Sequence, residues 1–326
     1  MDSHDRGLTD EQLLHALTLD PRAPFSRIAA VLGVSDQTVA RRYRRLRADF
    51  GMRVIGMTDG ARLGRTRWIL RLRCTPDASV TIAKALARRT DTAWVRLTSG
   101  GTELFCVTDS DRDEYDALLF GKLPRTPSIV EIRAMSVLHV FYGGVQGWFT
   151  KGDSLTPEQN AALRVPAYDH DHHPGGPFRL APEDEPLLAA LAEDGRASYP
   201  ELHRATGRSE SAVKRRLEQL VRAGVLYFDV QFDSVLLGYD AQAVLWLTVA
   251  PSALATVGEA LAGHPETAFV AATTGTSNLV TSVICRDHAG IYAYLNEKIG
   301  ALDGVRHVET APVVRKFKQM TYEERR

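Results

Sequence analysis

The chain has 326 residues, enough for two to four average domains, and its 44% hydrophobic and 25% charged residues predict a packed globular interior. Lys and Arg total 40 against 40 Asp and Glu, which excludes a generally basic coat, so any nucleic-acid binding must come from locally clustered charge. Cys74, Cys106 and Cys285 stand far apart without CxxC or Cys/His spacing, so neither a disulfide framework nor a zinc site is signalled.

In chain order, Met1 to Gly7 is polar and opens no leader, and no apolar run reaches about 18 residues. A cytoplasmic protein without membrane contact is expected. Leu13, Leu14 and Leu17 predict a first helix, and Ile28, Ala29 and Leu32 share one face of a second near Phe25 to Leu32. Gly33 suits a tight turn, and Ser35 caps a third helix reaching about Ala48. On it Val39, Tyr43 and Leu46 point inward, while Thr38, Arg41, Arg42 and Arg45 lie opposite. Val34 to Arg47 holds five arginines against one aspartate, a focused cationic face. A recognition helix needs that design, with an apolar side to fix it and Arg, Ser, Thr or Gln to reach phosphates and base edges.

Strands follow near Trp68–Cys74, Ala93–Thr98, Glu103–Thr108 and Ile129–Val140, with helices near Ala78–Arg89 and Asp111–Leu123. Residues 142–180 read as a linker. Leu155 to Leu163 forms a short helix in it, with Thr156 as N-cap and Pro157 as first helical residue. The Asp, His, Gly and Pro cluster from Asp169 to Pro177 is turn-rich, and no second ligand set is spaced with it, so no metal is expected. Gly143-Gly144 and Gly175-Gly176 lack the strand-glycine-helix context of a nucleotide fingerprint, and GxxxxGK[ST], GxSxG and HExxH do not occur; no cofactor is expected.

The rest of the chain repeats its first half. At a shift of 174, Asp20 meets Asp194, Arg22 meets Arg196, Phe25 meets Tyr199, Gly33 meets Gly207, Ser35 meets Ser209, and Arg41-Arg42 meets Arg215-Arg216. Val213, Leu217 and Leu220 form the second inward stripe, and Glu210 and Glu218 offset part of that helix's charge. A lone basic helix is often only a solvated face. The recurrence of turn glycine, capping serine and basic pair favours helix-turn-helix. The expected DNA contacts are Ser35, Gln37, Thr38, Arg41, Arg42 and Arg45, then Ser209, Ser211, Lys214, Arg215 and Arg216.

Phe228, Val230 and Phe232 alternate with Tyr227, Asp229 and Gln231, predicting a half-buried strand that crosses to the next domain. Strands near Ala243–Val249, Ala268–Thr273, Leu279–Ile284 and Val305–Val314 then alternate with helices near Pro251–Gly263 and Asp287–Ala301. The fold class is α+β, with two winged or helix-turn-helix domains (1–60 and 181–235) and two ferredoxin-like βαββαβ domains (61–141 and 236–326). Each sheet has a face to cover, so the two α/β domains are expected to pair face to face as a pseudo-dimer.

These stretches resemble the Lrp/AsnC, or feast/famine, family. The resemblance is clearest from Leu191 to Leu202, from Ser211 to Val225, and at Leu237-Gly-Tyr239, Thr273-Thr-Gly275, Val308-Glu-Thr310 and Lys316. It implies a sequence-specific DNA-binding transcriptional regulator that assembles as a homo-oligomer, a dimer or tetramer of tandem chains. It also implies an amino-acid-like effector bound around the hairpin between the second and third α/β strands. Carried onto this chain, those positions are Gly100, Thr102 and Glu103 in copy one and Thr274, Gly275, Thr276, Ser277 and Asn278 in copy two. Glu103 and Asn278 stand where the family usually has Asp. Two other readings use the same layout. A siroheme decarboxylase-like enzyme would draw on His139, His203, His264 and His307 with Arg65, Arg67, Arg71 and Arg73, which form no paired motif. An architectural protein without an effector would read DNA shape alone. The two basic helices favour a regulator that is not an enzyme.

Overall fold

The computed structural model describes residues 8–143, 147–165, 177–320 and 322–323. Met1 to Gly7 and most of the Asp169–Pro177 cluster lie outside them.

Helix α1 (Asp10–Leu19) starts at Thr9, whose hydroxyl accepts from Gln12 while the Gln12 side chain accepts from the Thr9 amide. Then come α2 (Phe25–Leu32), a left-handed Gly33, and α3 (Asp36–Phe50) capped by Ser35. Strand β1 (Arg53–Thr58) follows. The first α/β copy comprises β2 (Thr66–Cys74), α4 (Ser79–Ala87), β3 (Thr92–Thr98), β4 (Glu103–Ser110), α5 (Arg112–Asp116) and β5 (Ile129–Tyr142). Helix α6 (Pro157–Leu163) starts on Thr156 and Pro157, as expected. Copy two brings α7 (Glu185–Glu193), α8 (Tyr199–Thr206), α9 (Glu210–Arg222) and β6 (Leu226–Gln231). It closes with β7 (Ala241–Val249), α10 (Leu254–Gly263), β8 (Thr267–Thr273), β9 (Leu279–Cys285), α11 (His288–Ala293), β10 (Val305–Gln319) and β11 (Tyr322–Glu323). Single helices were expected over Asp111–Leu123 and Asp287–Ala301. Instead α5 and α11 are short and widen into π-helical turns at Ala117–Lys122 and Tyr294–Ile299.

The elements form two compact units. One takes the described parts of 1–59, 145–175 and 179–237, the other those of 60–144, 176–178 and 238–326. In the helical unit β1 and β6 pair antiparallel, from Arg53 opposite Gln231 to Thr58 opposite Leu226. Strand β6 is not the half-buried, alternating strand that its sequence suggests. Tyr227 and Gln231 are buried along with Phe228 and Val230, because α1 and α9 pack on the strand and the ladder closes its edge. The strand also ends within the helical unit, which runs to Leu237. Helix α6 lies on α1 and α2, where Arg27 donates to the Ala162 carbonyl at 2.8 Å and Gln159 to the Val31 carbonyl at 3.4 Å.

In the other unit each copy shows the expected βαββαβ order, and the two are woven together. The N-terminal half of β5 pairs with β2, from Ile129 to Ser136, and its C-terminal half with β8 of copy two, from Val137 to Tyr142. Strand β10 does the reverse, pairing with β7 up to Pro312 and then with β3 of copy one from Val313. The result is a closed ring of eight strands. Pro312, lacking an N–H, sits where β10 changes partner. At the corresponding place in β5, the Ser136 amide donates to the Thr274 hydroxyl at 2.9 Å. Three apolar layers result. One lies under the helices of each copy, and the third, with Ile69, Phe105, Met135, Val244, Trp246 and Val280, fills the space between the sheets. The expected face-to-face pairing is therefore present, and exchanged strands reinforce it.

Candidate nucleic-acid interface

In copy one, Val39, Tyr43 and Leu46 are buried and anchor α3. Its other side carries exposed Gln37, Arg41, Arg44, Arg45 and Arg47. Ser35 caps the helix, accepting from the Thr38 amide at 3.1 Å and lying 2.9 Å from the Thr38 hydroxyl. Arg42 turns back to α1, where Asp10 accepts from it at 2.7 Å and from Arg45 at 2.5 Å. Copy two repeats that bond, with Arg216 donating to Asp184. The Arg216 guanidinium holds the buried Asp184 carboxyl below its ordinary pKa, against the opposing effect of burial. Arg42 and Arg216 thus tie the third helix of each motif to the first helix or to the turn that leads into it. Ser209 caps α9 as Ser35 caps α3, with Ser211 3.2 Å from its hydroxyl. Ser211, Lys214 and Arg215 are exposed. Arg208, in the copy-two turn, joins Arg215 and Arg216 around a groove of about 290 Å³. Sequence reasoning overlooked Arg208 because copy one has Val34 there, so the repeat gave no signal.

The hairpin residues are built into the α/β unit. In copy one Ser99, Gly100 and Gly101 take positive φ values of 52°, 72° and 97°. The turn brings buried Glu103 to accept from Arg71 at 2.7 Å, with the Thr98 hydroxyl 3.3 Å away. Arg71 also forks onto Glu309 of copy two, lowering that carboxyl's pKa, and lies over the Trp246 ring. Thr102 donates to the Ser99 carbonyl. In copy two Asn278 bridges the Val249 amide and carbonyl, both at 2.8 Å. The Thr276 and Ser277 carbonyls accept from Thr248 and Thr273, and Gly275 has φ 110° beside Met135.

Most of the histidines and arginines considered for an enzyme are exposed or already have polar partners. His139 and His307 are exposed, His264 bonds Tyr294, and His203 bonds the Arg208 carbonyl. Arg67 pairs with Asp109 and Arg73 with Glu131. Among the described residues no three His, Cys, Asp or Glu gather as a metal site, and no helix is long and apolar enough to cross a membrane.

Two helix-turn-helix motifs joined to an α/β pair define the class, a DNA-binding protein with an appended regulatory module. The AsnC-type helix-turn-helix domain matches residues 8–47 and 184–221, and the Lrp/AsnC ligand binding domain matches 242–322. An uncharacterized HTH-type transcriptional regulator of Pyrococcus abyssi is 33% identical over 129 residues, 39% of this chain and 82% of that protein. An HTH-type transcriptional regulator of Mycobacterium tuberculosis is 32% identical over 141 residues, 42% of this chain and 93% of that protein. The chain belongs to the Lrp/AsnC family. Across its whole length the fold is similar to the siroheme decarboxylase NirDL, at TM-score 0.61 and 15% identity, covering 95% of this chain and 92% of that one.

Proposed function

We propose that the chain is a sequence-specific DNA-binding transcription regulator modulated by a small molecule, and that it performs no catalysis of its own. The observation that carries this reading is the exposed cationic side of α3 on a fully packed helix-turn-helix. Residues 1–60 and 181–235 are the DNA-binding domains, and 61–141 and 236–326 the regulatory ones. Gln37, Thr38, Arg41 and Arg45, the last also bonded to Asp10, meet DNA in copy one, and Ser211, Lys214 and Arg215 in copy two. Ser35 and Ser209 set the helix starts, and Arg42 and Arg216 position the helices. The effector, of amino-acid type, is bound near the Gly100–Glu103 and Thr274–Asn278 hairpins, the chains assemble as homo-oligomers, and the protein works in the cytoplasm. A mobility-shift titration with the upstream DNA of its own gene tests the reading. Binding should weaken steeply with salt and drop at least tenfold in Arg41→Ala. Equal affinity for every duplex would refute it.

The full-length likeness to NirDL favours a second reading, decarboxylation of an acidic tetrapyrrole. Against it, Arg67, Arg71 and Arg73, three of the four arginines considered as cationic anchors for such a substrate, already meet carboxylates. Mixing the protein with siroheme should leave its Soret band and carboxylates unchanged; loss of carbon dioxide would reverse the assignment.

A further inference from the structure

Inside the helical unit the two copies meet about an internal two-fold axis. Strand β1 faces β6 in a self-complementary register, each strand's first residue opposite the other's last. Beside this ribbon the loops after α1 and α7 exchange arginines. Arg22 donates to the carbonyls of Gly195 and Ala197, and Arg196 donates to those of Pro21 and Ala23. At the 174-residue shift Gly195 corresponds to Pro21 and Ala197 to Ala23, so each bond has its rotated counterpart. One aromatic seat matches as well, with Arg22 over Tyr199 and Arg196 over Phe25; the second ring of each differs, Phe228 standing where copy one has Val54 and Tyr43 where copy two has Leu217. This is an isologous interface, the kind that joins two subunits of a dimer, built within one chain.

The symmetry of the frame is broken on the recognition helices. Copy one presents Thr38, Arg41 and Arg45 where copy two presents Ala212, Arg215 and Gln219. The second helix thereby loses the Thr38 hydroxyl and the Arg45 guanidinium, which Asp10 holds in copy one, while Ser211 and Lys214 stand where copy one has Gln37 and Ala40. In exchange the copy-two turn gains Arg208, which stands with Arg215 at a groove whose one carboxylate, Asp184, is bonded to Arg216 at 2.5 Å and lies 4.0 Å from Arg208. Cations grouped at a recess suit phosphate, whereas a helix side rich in Arg, Thr and Gln suits base edges.

The geometry points to a single chain as a complete, two-headed DNA reader of an unequal operator. It rests on the DNA-binding reading above. The internal two-fold sets two half-sites in inverted orientation, as in a dimeric repressor. Copy one specifies base sequence in its half, and copy two grips backbone phosphates in the other through Arg208 and Arg215. The partner is therefore a duplex with one informative half-site beside a second that is contacted but degenerate.

The test uses the full chain and duplexes it selects from a randomised pool. Selection should yield one conserved half-site, and hydroxyl-radical footprints should protect a second patch about one helical turn away. Arg41→Ala should flatten the base preference. Arg215→Ala should keep that preference, lower affinity about tenfold and reduce the salt slope by about one. Arg22→Ala/Arg196→Ala should uncouple the footprint's two patches. Both Arg41 and Arg215 are exposed, and unchanged melting curves exclude misfolding. An Arg215→Ala variant with unchanged affinity and salt slope overturns the inference, as does one with altered base preference. If the wild-type chain selects no sequence at all, the DNA-reading proposal fails first.

Discussion

Buried His15 makes the helical unit acid-sensitive through a single side chain. It lies on α1, fully buried, with Nδ1 3.0 Å from the Ser154 hydroxyl, its ring edge-on to Phe149, and Nε2 without a hydrogen-bond partner among the described residues. Burial lowers its pKa from 6.5 to about 4, opposed by the charge of Asp153. The folded state therefore favours the neutral ring. Stability is fully present above the unfolded value of 6.5 and is lost as pH falls towards 4. At pH 5 nearly every unfolded chain binds this proton and about one folded chain in ten does, which costs the fold about 2 kcal/mol relative to pH 8. His15→Leu removes the titration. It sacrifices one hydrogen bond, about 1 kcal/mol, while relieving the unpartnered Nε2. Urea unfolding followed by circular dichroism at pH 8 and pH 5 measures both effects. The wild type should lose about 2 kcal/mol more than the variant between those pH values, roughly 4–8 °C in Tm. Other titrating groups are common to both proteins and cancel. If wild type and His15→Leu lose stability in parallel, the buried neutral histidine is refuted.

Asp229 on β6 acts in the opposite direction. Burial raises its pKa from 3.8 to about 7, only partly offset by the Val230 amide, so its contribution is complete below 3.8 and is lost as pH rises through 7. Asp229→Asn should raise stability at pH 8 by at most roughly 4 kcal/mol and by about half that at pH 5, read by chemical denaturation; a pH-independent difference would contradict it. Gly258 on α10 lets the Phe141 ring approach so closely that an added Cβ would lie 2.4 Å from it. Gly258→Ala should destabilise the α/β unit by about 1–3 kcal/mol in thermal melts, and native-like melting would show that the packing is loose. Asn278→Ala strands both polar groups of Val249 and should cost about 2–3 kcal/mol with no effector added, with faster hydrogen exchange at that amide. Unchanged exchange would free Asn278 for ligand contact.

Element order and the inward stripes were legible because apolar period and capping residues are local signals. Ser35 and Thr156 announce their helices, and Gly33 its left-handed turn. What escaped is what depends on a remote partner. Strand β10 reads as ending near Val314, yet Arg315, Lys316 and Lys318 continue it because β3 of copy one pairs with them. Repetition likewise exposes that Arg22 and Arg196 correspond, but not that each crosses to the other copy's loop. On α3, composition identified a cationic helix without distinguishing Arg41, which is exposed, from Arg42 and Arg45, which are bonded to Asp10. Charge counts cannot separate a contact from a tether.

The exchanged strands also impose an order on biosynthesis. Thr98 finds its ladder partner at Val313, more than two hundred residues on, so β3 leaves the ribosome with an open edge and waits for β10 to be made. Contacts so distant in sequence carry a large loop-closure cost before they return any stabilisation, which predicts slow maturation of this unit. The waiting edge is a template for mispairing with another nascent chain. Deleting either copy would remove the partner of half of β5 or half of β10, so the remaining copy could close its sheet only against a second chain.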